Sequence, residues 1–130
     1  MQRMGNRGRM PTEPTVPTVF EVVRRAAEVC DPRDEHPRVA ELLVRFEDRD
    51  EPITALEDPE SQLAEAAALD EDLAEPAELT TVAVATYLAH RRDEIDDARE
   101  EILRLAVRAE FPGGPPAPVR DWLIAQGVET

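Results

Sequence analysis

The residues with the clearest potential for chemistry lie near position 90. His90, Glu94 and Asp97 are spaced i, i+4 and i+7, which on an α-helix places all three side chains on one face. One imidazole and two carboxylates suit a divalent transition metal. However, neither of the two histidines has the preceding glutamate, three positions earlier, that di-iron helical bundles use. We therefore favour no metal site and keep these three residues as the alternative.

The sequence gives less support for a nucleophilic residue or a phosphate-binding loop. Cys30 is predicted to end a helix on its apolar side, where the helix dipole disfavours a thiolate, so we expect a buried structural thiol. Ser61 is the single serine, and the glycine-rich patterns that cradle phosphates are missing from the sequence. We therefore expect a protein that is not an enzyme and that uses no cofactor.

The charge of the chain restricts its partners. The 130 residues carry a net charge of −14, and residues 1–10 hold three arginines and no acid, so the rest is more acidic still. Such a body repels nucleic-acid phosphates and anionic lipids, and favours a protein with a basic surface. The predicted function is a non-enzymatic protein-interaction or regulatory module. The alternatives are a metal-binding helical protein using His90 and an acidic mimic of nucleic acid, and the charge can also serve solubility or salt adaptation alone.

Composition adds expectations about the source and the compartment. All 15 basic residues are arginine, which is typical of a GC-rich, prokaryotic genome. The single cysteine excludes an intrachain disulfide. The sequence contains no apolar run of 18 residues, and its first arginines are not followed by an apolar segment. We therefore expect a cytoplasmic protein without a membrane span.

Helix signals dominate the chain after a lead-in of residues 1–17, which is rich in proline and glycine and is predicted to be a disordered tail. Thr18 and Glu21 form a capping-box pattern, and apolar pairs at helical spacing predict a helix from Val19 to Cys30. Prolines suited to the first helical position predict further helical starts, at Pro37, Pro52, Pro59 and Pro76. The Pro59 helix is predicted to use Leu63, Ala66, Leu69 and Leu73 as its apolar positions.

The segment from Pro76 to Phe111 contains neither proline nor glycine. It fits one helix of about 34 residues, about 50 Å long at the standard rise per residue. It also fits two helices with a break near Arg91–Asp97, which the run of charged residues there favours. We predict the break.

A last short helix is predicted from Val119, Trp122, Leu123 and Gln126, with Gly127 ending it. Trp122 is the expected anchor of this helix on the body of the protein. If its ring were exposed, Trp122 would instead be the candidate partner-binding residue.

Together these patterns predict a single all-α domain over residues 18–130, with about six helices in an irregular orthogonal or bundle-like array. Aromatic residues make up only 4% of the chain, so the core must rely on Ala, Val and Leu. A core this thin leaves room for further burial between two copies, and we regard a homodimer as possible.

Overall fold

The computed structural model describes residues 16–70 and 72–128. These residues form six α-helices and two short 3₁₀ turns, and this part of the chain contains no β-strand. The helices are α1 (Val19–Cys30), α2 (Pro37–Val44), α3 (Pro59–Ala67), α4 (Pro76–His90), α5 (Arg99–Glu110) and α6 (Ala117–Ala125). The predicted all-α fold is confirmed.

Helix α1 has the predicted bounds and is held at its start from two sides. The Thr18 hydroxyl accepts from the Glu21 amide at 3.0 Å, and a Glu21 carboxylate oxygen accepts from the Thr18 amide at 2.8 Å. The next free amides are satisfied by the α2–α3 connection, since Val19 and Phe20 donate to the carbonyls of Glu51 and Arg49. All the N–H groups of the first turn that a helix leaves unpaired are therefore drawn into local or tertiary bonds.

The predicted disordered tail covers residues 1–17, of which the structure describes residues 16 and 17. Residues 1–15 lie outside the described residues. Pro17, however, belongs to the folded body, because its carbonyl accepts from the Ile53 amide at 2.9 Å. Proline cannot donate a backbone hydrogen bond, but it can accept one, and composition alone did not reveal this bond.

Proline starts α2, α3 and α4 as predicted, and Asp58 caps α3 by accepting from the Ser61 amide. Pro52 differs, since it precedes only the 3₁₀ turn Ile53–Ala55. That turn nevertheless contributes to the core, because Ile53 and Leu56 are both buried.

Helix α3 is shorter than its apolar spacing predicts. It ends at Ala67, and Ala68 adopts a left-handed conformation with φ of 51°. Downstream, the carbonyl of Asp70 accepts from the amides of Leu73 and Ala74, so a local turn replaces the next helical turn. Leu73, predicted to lie on the buried face, is 67% exposed.

Helix α4 is the centre of the fold and packs against each of the other five helices. Small and β-branched residues allow these neighbours to approach on several sides, and the buried positions include Thr80, Thr81, Val84 and Leu88. Its two buried threonines are satisfied within the helix, because their hydroxyls donate to the carbonyls four residues earlier, each at 2.7 Å.

The break after α4 is confirmed. Arg91 leaves the helical conformation with φ −124° and ψ 56°, residues 92–94 form a 3₁₀ turn, and α5 begins at Arg99. The two helices then pack against each other, which a single continuous helix could not do.

Helix α6 ends in a Schellman motif. Gly127 has φ of 78°, the Gly127 amide donates to the Ile124 carbonyl, and the Val128 amide donates to the Leu123 carbonyl. The Val128 side chain is buried, so the end of the helix is tied to the core. The predicted role of Gly127 is confirmed.

The core is built almost entirely from aliphatic side chains. Phe46 is its one fully buried aromatic residue among those described, and the larger members are otherwise leucines and isoleucines such as Leu42, Leu63, Ile102 and Leu123. None of the described helices is long and apolar enough to cross a bilayer.

Candidate functional site

The three metal-site candidates do not share a helix. His90 is the last residue of α4 and is exposed, Glu94 lies in the 3₁₀ turn, and Asp97 precedes α5. The i, i+4, i+7 spacing places side chains on one face only while the helix continues, and here it ends at His90. Across the described residues, no group of three or more His, Cys, Asp or Glu side chains is arranged to hold a metal ion.

Glu94 has a structural role instead. Its carboxylate accepts a hydrogen bond from the Tyr87 hydroxyl at 2.5 Å and lies 3.7 Å from an Arg91 guanidinium nitrogen. Burial, followed by this bond to Glu94, raises the pKa of Tyr87 to about 12. The pair joins the last turn of α4 to the connection that follows it.

Arg25 of α1 holds the same connection from the other side. Its Nε donates to the Ile95 carbonyl at 2.7 Å, and its Nη2 donates to the Asp97 carbonyl at 2.9 Å. Asp97 therefore contributes its main chain to the fold, while its side chain is exposed. The Arg25 guanidinium also lies 3.5 Å from a Glu28 carboxylate oxygen, but its hydrogen bonds go to carbonyls about seventy residues away.

Cys30 is a buried free thiol. The side chain is in the core, next to Thr81, and burial raises the pKa of the thiol to about 12. A thiol that remains protonated at neutral pH is a poor nucleophile. The expected burial of Cys30 is confirmed.

Trp122 is half-buried and packs against the edges of the core. The side chains that anchor α6 most deeply are its neighbours Val119 and Leu123, which are both fully buried. The predicted docking of α6 is thus correct, although Trp122 contributes a partly buried contact and is not the main anchor.

Several arginines in this protein bind main-chain carbonyls, and two of them, Arg25 and Arg38, also contact the carboxylates of Glu28 and Glu78. Besides Arg25, Arg45 donates to the Ala67 carbonyl, Arg99 to the Val29 carbonyl, and Arg38 to the Leu73 carbonyl. Each bond fixes a helix end or a loop. Such long-range partners cannot be read from i, i+4 spacing.

A surface groove that the sequence analysis did not identify lies along α4. Its floor is one face of that helix, formed by Leu79, Val82, Ala83 and Thr86, which are spaced i, i+3, i+4 and i+7. We call it the α3–α4 groove. Its walls are residues of α3, the α3–α4 loop and the segment after α5, namely Glu60, Ala64, Ala67, Leu69, Glu110, Phe111 and Pro116.

The groove has a volume of about 520 Å³ and a mostly aliphatic lining. Among the described residues, its titratable groups are Glu60 and Glu110, and no arginine lines it. Partial burial and then the nearby Glu60 charge raise the pKa of Glu110. One feature of the sequence is related to the groove. Helix α4 has no polar face, which is typical of a helix that is covered on every side.

Comparison with known proteins gives no matching family model, no similar curated protein and no matching solved structure.

Proposed function

We propose that the protein is a cytoplasmic, non-enzymatic interaction or regulatory module that recognises a basic surface on another protein. The observation that supports this proposal is the excess of carboxylates over arginines, some of which bind main-chain carbonyls. Four of the 12 arginines in the described residues donate to main-chain carbonyls, whereas these residues carry 26 carboxylates.

The connection from α2 to α3 illustrates the imbalance. It carries five exposed carboxylates against two arginines: Arg49 pairs with Glu51 at 2.9 Å, and Arg45 donates to the Ala67 carbonyl. The exposed residues are Glu47, Asp48, Asp50, Glu57 and Asp58. A surface of this sign raises the encounter rate with cationic partners and disfavours anionic ones.

The test is capture of partners from a native lysate by the immobilised protein at about 50 mM and about 300 mM salt, since electrostatic recognition weakens as the Debye length shortens. A scrambled polypeptide of the same composition serves as the control, because it has the same net charge and lacks the fold. We expect a small set of basic proteins that bind the native chain alone and are lost at the higher salt. Capture of the same proteins by both chains would contradict the proposal, as would a set that is not basic.

A further inference from the structure

The central helix α4 leaves one face incompletely covered. The other helices bury most of its residues, but Leu79, Val82 and Thr86 stay half-exposed on the floor of the α3–α4 groove. A helix without a polar face is suited to burial all round, so this apolar face lacks a partner in the described structure.

The charges at the groove select the kind of partner. Glu60 of α3 and Glu110 at the end of α5 are both exposed carboxylates, and they lie close enough for one charge to affect the other. An occupant that brings a cation to them would relieve this repulsion, while an anionic or purely apolar occupant would not. The volume of about 520 Å³ falls within the range of about 300–1,000 Å³ typical of binding clefts.

We propose that the α3–α4 groove is the docking site for an amphipathic segment of a partner protein. That segment places aliphatic side chains on the exposed face of α4 and a lysine or arginine beside Glu60 and Glu110. This is a recognised mode of peptide binding, in which an apolar face lies in a groove and charges at its edge set the orientation. The inference rests on the proposed function, since it assigns the basic partner to one surface.

The test uses a library of random 14-residue peptides selected against the wild-type protein. We expect the selected peptides to combine leucine, isoleucine or phenylalanine with lysine or arginine, and to bind with 1:1 stoichiometry. In two-dimensional NMR spectra, the selected peptide should shift the amides of α3 and of residues 79–86 more than those of α1.

Two variants of the groove separate its charge from its shape. Glu60→Gln/Glu110→Gln should weaken binding of the selected peptide about tenfold, since two partly exposed charge pairs are lost. Ala64→Arg places a cation on an exposed position of the groove wall and should weaken binding at least as much. The matched control is Glu57→Gln/Glu65→Gln, which removes the same charge from exposed positions outside the groove lining and should change affinity less than twofold.

Several results would overturn the assignment. These are a failure to enrich any peptide, enriched peptides without basic residues, or equal weakening by the control pair. Two further results would assign the groove to other occupants. If the protein self-associates and Glu60→Gln/Glu110→Gln abolishes the self-association, the occupant is a second copy. If neutralising Arg3, Arg7 and Arg9 shifts the groove amides, the occupant is this chain's own N-terminal segment. Partners captured from lysate with wild-type strength by the Glu60→Gln/Glu110→Gln variant would reject the groove and leave the proposed function standing.

Discussion

Arg25 on α1 donates to the main-chain carbonyl of Ile95, 2.7 Å away and seventy residues further along the chain. With its second bond to Asp97, this guanidinium holds the chain where α4 turns into α5. The connection is rich in charged residues and buries little apolar surface. Its geometry therefore depends on a few hydrogen bonds.

Replacement of Arg25 should destabilise the protein. We expect Arg25→Ala to lower the free energy of unfolding by about 1–3 kcal/mol, because a half-buried guanidinium and the carbonyls it binds lose their partners. Urea denaturation followed by circular dichroism measures this change. Arg108→Ala, at an exposed position of α5, is the control and should stay within about 0.5 kcal/mol of wild type. Equal effects of the two variants would show that the Arg25 bonds add nothing to stability.

The anchoring of α6 predicts an order of effects between neighbouring residues. Leu123 is fully buried, so Leu123→Ala should cost about 2–5 kcal/mol. Trp122 is half-buried, so Trp122→Ala should cost less, about 1–3 kcal/mol. Equilibrium unfolding of the two variants gives the comparison. A larger loss for Trp122→Ala would mean that the ring carries the docking of the helix.

The metal alternative predicts a stabilisation that depends on His90. Because His90, Glu94 and Asp97 do not share a helix face, we expect Zn²⁺, Mn²⁺ and Fe²⁺ to leave the Tm of wild type and His90→Ala equally unaffected. Thermal melts with and without each ion provide the measurement. A site occupied at 100 times its Kd would stabilise the fold by about 2.7 kcal/mol. A rise in Tm equivalent to that stabilisation, seen in wild type and absent from His90→Ala, would establish the metal site.

Alkaline pH should destabilise the protein through Cys30 first and Tyr87 second. The pKa of Cys30 rises from 9.0 to about 12 and that of Tyr87 from 10.0 to about 12, so above pH 9 the unfolded chain loses protons that the folded chain keeps. Each group then lowers the free energy of unfolding by at most about 1.4 kcal/mol per pH unit until its folded pKa is reached. Urea midpoints between pH 8 and 11 should fall from pH 9 in wild type and from about pH 10 in Cys30→Ala. An identical onset in both proteins would contradict this assignment.

Glu110 should destabilise the fold at neutral pH. The pKa of Glu110 is raised above the usual 4.5, so folding favours the protonated carboxyl group. The stabilisation that the protonated group provides is lost as pH rises through the folded pKa. Glu110→Gln should therefore be more stable than wild type at pH 7, by less than about 1 kcal/mol because the group is largely exposed. The difference should vanish below pH 4.5, whereas Glu65→Gln should show no gain. Thermal melts at pH 3.5 and pH 7 compare the three proteins.

Local signals account for the parts of the fold that the sequence predicts well. The start of α1 is determined by Thr18 and Glu21, the starts of three later helices by proline, and the end of α6 by Gly127. Each acts within a few residues of itself. The leucine spacing, which continues to Leu73, places the end of α3 too late, because it does not reveal the competing turn at Asp70.

The site could be predicted less well, since its parts come from distant segments. The metal-site candidates His90, Glu94 and Asp97 share a face only on a continuous helix, but α4 ends at His90. The α3–α4 groove brings Glu60 together with Glu110, fifty positions apart, and only packing creates that proximity. The uniform apolar character of α4 was readable in the sequence, but which of its faces stays open was not.

The position of α4 also has a consequence for synthesis of the chain. Helices α1, α2 and α3 are made before it and can pack on it at once, but α5 and α6 emerge later. Until residues 99–128 leave the ribosome, at about 5–20 residues per second, a helix without a polar face exposes the surfaces that they will cover. We therefore expect the nascent chain to be prone to aggregation during those seconds, and a stop codon placed before α5 should yield an insoluble product.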